Sequence, residues 1–153
     1  MKVLTKAYGS IEVEERQKIV FPQGLFGFED FTDYVLLDAE QQPFYWLQSL
    51  DKEQTAFVLI NPFLIRPDYE VNIGNDELAD IGIDSPGKAL IFAIVTIPPD
   101  GGPMTVNLQG PLTINRETHR GKQIILVDTQ WKTKHDVMAE LAVTRQAAPG
   151  KAR

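Results

Sequence analysis

The chain has 153 residues, enough for one domain with a sizeable core, and its lack of cysteine excludes disulfides, thiolate metal sites and a cysteine nucleophile. No apolar run reaches the roughly 18 residues of a membrane span. Residues 1–100 carry 17 acidic and 7 basic side chains, a balance of −10, and residues 101–153 carry 4 and 8, a balance of +4; an acidic body disfavours wrapping nucleic acid and suits a basic protein partner, the alternative being that the charge serves solubility alone.

In chain order the sequence reads as short β segments separated by turn signals, the pattern of an all-β sandwich or barrel. Residues 1–15 lack the apolar core and cleavage site of a signal peptide, so a cytoplasmic location is expected. Val3–Tyr8 is a first predicted strand, turned at Tyr8-Gly9-Ser10 into a second over Ile11–Glu14. Ile19–Phe21 follows and Pro22 closes it. Tyr34–Leu37, Phe44–Leu50 and Ala56–Ile60 are further strands; Asn61-Pro62 ends the last, because proline has no ladder donor and restricts the residue before it. Asn75 or Asp76 is placed to cap a helical turn around Glu77–Asp80. "KALIFAIVTI", Lys88–Ile97, is apolar and rich in β-branched residues, which predicts a central strand buried on both faces; periodicity leaves a core helix open.

Pro98–Pro103 reads as a loop. "MTVNLQGPLTIN", Met104–Asn115, alternates, breaks at Gly110-Pro111 and alternates again. Asn107 and Asn115 are expected to bond backbone at that break, which makes the stretch scaffold. Arg116–Gly121 is a turn, Lys122–Asp128 a strand and Trp131–Leu141 a short helix. Residues 1–142 thus form one domain, and 143–153 a disordered, frayed tail.

The chemistry-bearing residues are sparse. His119 and His135 lack metal-ligand spacing, and Ser10, Ser49 and Ser85 lie in no nucleophile elbow. Glu29/Asp30 and Asp76/Glu77 are adjacent acids of the kind found on solvated loops. "GLFGFED" has two glycines but lacks the lysine and helix context of a phosphate loop. Phe21, Phe26, Phe28 and Phe31 cluster within eleven residues; they either plug one end of a barrel or leave one ring exposed as an anchor with an acidic rim. No catalytic, metal or cofactor residue is assigned.

Four blocks go further: "IVFPQGLFGFEDFTDYVLL" (19–37), "FVLINPFLIRPDYE" (57–70), "IFAIVTIP" (91–98) and "MTVNLQGPLTINRETHRGKQIIL" (104–126). In order and spacing they resemble the flagellar assembly factor family, FliW, from about Gly9 to His135. The family more often has Ala at Gly110, Ile at Leu112 and Tyr at Trp131. The resemblance implies a mainly β, small, single-domain, β-barrel-like fold with one or two short helices, and no enzymatic activity. It also implies a cytoplasmic partner switch: the protein binds flagellin and, when released, binds and antagonises the translational regulator CsrA (carbon storage regulator), a basic RNA-binding dimer. No direct contact with nucleic acid or membrane is implied.

The family pattern names no contact side chains. Exposed acids beside apolar anchors are the candidates: Phe28, Glu29 and Asp30 in one group, Asp68, Tyr69 and Glu70 in the other. In each group the ring could instead be core, with the acids merely flanking it. A small-molecule enzyme or ligand-binding barrel, and an RNA-binding barrel, are the competing functional classes.

Overall fold

The computed structural model describes residues 1–147, with side chains described to Val143. Its elements run β1 (Lys2–Thr5), β2 (Gly9–Glu12), β3 (Lys18–Val20), β4 (Asp33–Asp38), β5 (Tyr45–Ser49), β6 (Ala56–Ile60), α1 (Asn75–Ala79), β7 (Ala89–Thr96), β8 (Thr105–Val106), β9 (Leu112–Asn115), β10 (Gly121–Gln123), β11 (His135–Asp136) and α2 (Val137–Ala147). The fold is mainly β, as the sequence predicts. β1 and β2 form a hairpin. The other nine strands form one antiparallel sheet ordered β10-β9-β7-β6-β5-β4-β3, with β8 joining β7 to β11.

The two ends of that path, β3 and the start of β10, meet at one point. The Val20 N–H donates to the His119 carbonyl at 3.0 Å, in a lone bridge between Val20 and Arg120. The sheet therefore curls like a barrel but is not closed by a ladder. No helix among the described residues is long and apolar enough to cross a membrane.

β7 explains why Lys88–Ile97 is apolar throughout. Ile91, Ala93 and Val95 pack into a cluster with Ile60, Ile65, Tyr69, Leu108 and Trp131. Leu90, Phe92 and Ile94 face the opposite cluster, with Phe21, Tyr34, Leu47, Leu59, Leu112 and Ile114. Successive side chains of a strand point to opposite faces, so a strand between two cores needs apolar residues of both parities. A smaller cluster of Val3, Val13, Val35 and Leu37 holds the β1–β2 hairpin on the sheet. Fully burying a side chain such as Phe21 contributes about 1.5–3 kcal/mol.

Several expectations change. The helical turn expected around Glu77–Asp80 is α1 over Asn75–Ala79, and Gly74 holds its cap position with no side-chain bond, so neither Asn75 nor Asp76 caps it. The predicted strand Lys122–Asp128 pairs as a ladder only over Gly121–Gln123. Beyond it Ile124 and Leu126 donate to the Pro111 and Gln109 carbonyls, but Pro111 has no N–H to return, so the ladder ends. The predicted helix Trp131–Leu141 starts only at Val137. Trp131 is drawn into the core, His135–Asp136 pair with β8, and the Asp136 carboxylate accepts from the Ala139 N–H as a helix cap. α2 then continues to Ala147, past the predicted boundary at 142; residues 148–153 of the predicted tail lie outside the described residues.

Candidate functional site

The segment Phe21–Phe31 is built around two glycines. Gly24 sits at φ +69°, and a Cβ there would lie 2.5 Å from the Glu29 Cα, so the chain crosses itself at a place only glycine fits. Gly27, at φ +87°, takes the third place of a tight turn closed by the Phe28 N–H on the Leu25 carbonyl at 2.7 Å. The turn buries Leu25 and leaves Phe26 58% and Phe28 39% exposed. The Phe28 ring stands edge-on to Phe57 at 5.0 Å, which holds its orientation. Glu29 and Asp30 are exposed beside it, and neither has an ion-pair partner among the described residues. Phe21 is fully buried and Phe31 half-buried, so the four rings divide between core and surface.

The loop is pinned from the far end of the sequence. Gln123 is 8% exposed; its Oε1 accepts from the Phe26 N–H at 2.9 Å and its Nε2 donates to the Gly110 carbonyl at 3.0 Å. Gly121 lies under Phe21, where a Cβ would come within 2.6 Å of the ring. Two of the sequence blocks thus meet in one structure. At the Gly110-Pro111 break the Asn107 Oδ1 accepts from the Gln109 and Gly110 N–H groups. Asn115 accepts from Glu117 and Thr118 and donates to the Ile81 carbonyl. Asn107 bonds backbone at the break, as the sequence predicts; Asn115 bonds backbone too, but in the turn after β9 and to Ile81, away from the break.

The second candidate group does not hold together. Tyr69 is only 4% exposed; its hydroxyl donates to the Leu108 carbonyl at 2.6 Å, and its ring packs edge-on against Trp131 at 4.8 Å. Its expected place as an exposed anchor is corrected: it is core, because its hydroxyl satisfies a carbonyl that the strand break leaves unpaired. Burial pushes its ionisation up. Asp68 is exposed but gripped by the Arg66 fork at 2.8 and 2.7 Å, and that hydrogen-bonded guanidinium holds its carboxyl below the usual carboxylate range. Glu70 is exposed on its own.

Arg66 is the centre of a network with no counterpart in the sequence reading. Its guanidinium also bonds Glu140 of α2 at 3.2 Å and lies 5.0 Å from the Trp131 ring centroid. His135 completes it. Its Nε2 accepts from the Lys132 N–H at 2.8 Å, so Nδ1 carries the proton and donates to Glu140 at 2.6 Å. The network clamps α2 to the sheet. His119 takes a left-handed turn position at φ 61°. Among the described residues no three His, Cys, Asp or Glu side chains cluster as metal ligands.

A family model described as FliW protein matches residues 2–137. The chain is 50% identical to the flagellar assembly factor FliW of Treponema denticola, over 92% of this chain and 96% of that protein. It is 46% identical to the one of Treponema pallidum, over 95% and 97%. A crystal structure of the flagellar assembly factor FliW superposes with a TM-score of 0.82 at 36% identity, covering 90% of this chain and 96% of that one.

Proposed function

This chain belongs to the FliW family of flagellar assembly factors, and from that premise we propose that it is a cytoplasmic, non-enzymatic regulator that binds flagellin and, when released, binds and antagonises CsrA. One observation carries the reading: the match to the family runs over residues 2–137, a span that includes the loop whose apolar tip stands exposed beside acids without ion-pair partners among the described residues. Phe28, Glu29 and Asp30 form the proposed contact group, with Phe26 added by its exposure. Asp68 and Glu70 remain as flanking acids. An exposed ring with a charged rim is the usual form of an interface anchor. The −10 balance of residues 1–100 supplies the field that draws in a basic RNA-binding dimer and opposes phosphate near it.

The test is co-purification of the intact chain with flagellin and with CsrA, separately and in competition. Capture of each alone, with flagellin displacing CsrA, is the expected result. Binding to neither would sink the reading, and a stable ternary complex would replace switching with two compatible sites.

A further inference from the structure

We infer that the edge formed by residues 123–127, which continues β10, pairs with the same edge of a second copy of this chain in an antiparallel, two-fold dimer. Past Gln123 the chain stays strand-like. Ile124 and Leu126 are buried and donate to the Pro111 and Gln109 carbonyls. Ile125 and Val127 alternate with them, and their N–H and carbonyl groups make no hydrogen bond among the described residues. In an extended chain these groups point away from the segment already paired. They form a bare edge with donors and acceptors two residues apart, a spacing that another extended backbone matches. Natural edges are blunted by lysine, proline or a bulge. This one instead carries Ile125, 48% exposed, and Val127, 91% exposed. Phe26, 58% exposed, stands at its start, with its N–H on the Gln123 side chain.

The side chains select a second copy as the occupant. A two-fold axis at Ile125 sets Ile125 against the partner's Ile125 and Gln123 against the partner's Val127. Phe26, held beside Gln123, then covers the partner's Val127, so one contact buries all three exposed apolar side chains. The charges agree with that register. Glu29 lines the same small hollow as Phe26 and Gln123, at the start of the edge. Lys132 stands toward the other end: its carbonyl and the Leu126 N–H both bond Gln109. Neither Glu29 nor Lys132 has an ion-pair partner among the described residues. Antiparallel pairing brings the acidic end of each copy to the basic end of the other. Asp128, likewise without an ion pair, comes opposite the partner's Lys122, which within its own chain bonds Asp80 at 2.8 Å. This inference goes beyond flagellin and CsrA and does not depend on them.

An edge of this length falls below a standard interface, so the dimer is weak, with a dissociation constant on the order of 10–100 µM. Sedimentation equilibrium of the whole chain should show its mass rise from 17.2 kDa toward twice that as concentration passes through this range. Val127→Lys puts a charge on the bare edge at a side chain the fold leaves exposed, and should weaken self-association roughly tenfold or more with the melting temperature unchanged. The chain has no cysteine, so a single Ile125→Cys reports the register. Directly opposed, hydrogen-bonded residues lie about 5.5 Å apart between Cα atoms, within reach of a disulfide, whereas Val127 lies about 14 Å from its own copy. Mild oxidation should therefore link Ile125→Cys into dimers about tenfold faster than Val127→Cys, or more. A monomer mass at every concentration, full self-association by Val127→Lys, or equal crosslinking of the two cysteine variants would overturn the proposal. So would protection of the Ile125 and Val127 amides by flagellin or CsrA with none on concentration, which would assign the edge to that partner. Self-association is read on the chain alone, so its failure leaves the family function standing, and loss of flagellin and CsrA capture leaves the dimer standing.

Discussion

Gln123→Met tests whether the sequence blocks are tied together by one side chain. Methionine conserves length and volume, so the change removes two hydrogen bonds with little change in packing. The Phe26 N–H loses an acceptor now at 2.9 Å, and the Gly110 carbonyl loses a donor now at 3.0 Å. A buried backbone group left without a partner costs about 1–3 kcal/mol. The Phe26 end lies at the edge of solvent and recovers part of its share through water, so the expected loss is about 2–4 kcal/mol. For a chain of this length that is roughly 4–16 °C in melting temperature. Urea unfolding reads the free energy, and amide hydrogen exchange reads the site. The Phe26 amide should exchange much faster in the variant, while core amides of β7 shift only with global stability. A loss under about 0.5 kcal/mol, with Phe26 equally protected, would refute the reasoning and leave the loop held by Leu25 and Phe28 alone.

Tyr69→Phe should lose about 1–2 kcal/mol in urea unfolding through the Leu108 carbonyl, while Tyr69→Ala loses about 3–5 kcal/mol as a cavity; neither should change CsrA or flagellin capture by the folded fraction. The Tyr34 hydroxyl is buried without a partner, and burial pushes its ionisation up from 10.0 to about 12. Since the folded value lies above the unfolded one, its contribution is complete below pH 10 and lost as pH rises toward 12. Tyr34→Phe should therefore be neutral or stabilising at pH 7 and lose less stability between pH 10 and 12 than the parent, by denaturant titration. Gly121→Ala should destabilise by about 1–3 kcal/mol against the Phe21 ring. Gly110→Ala brings a Cβ to 3.2 Å from the Gln123 Nε2 and from the exposed Ile125 Cδ1, contacts that need give only a few tenths of an ångström, and should stay within about 1 kcal/mol by the same assay. Glu29→Lys with Asp30→Lys should weaken CsrA capture and flatten its salt dependence, with the melting temperature held.

Much of the fold was legible because it rests on local rules. Ala56–Ile60 and the two-faced β7 follow from apolar runs bounded by proline and turn residues, and the backbone bonds of Asn107 follow from the break at Gly110-Pro111. Those rules are written in neighbouring residues. The sequence by itself also carried the family, through blocks whose spacing is covalent.

Long-range partners were not legible. Tyr69 looked like an exposed anchor because nothing beside it in the chain shows that Leu108 offers a carbonyl and Trp131 a ring. Trp131–Leu141 had helical spacing, but burial of Trp131 and pairing of His135–Asp136 with β8 outweighed the helix propensity of residues 131–136. The contacts of Arg66 with Glu140 and of Gln123 with Phe26 exist only where segments 74 and 97 residues apart come together. Burial and partner choice depend on the whole packed chain, so tertiary structure alone decided which aromatic ring reaches solvent and which acids remain unpaired.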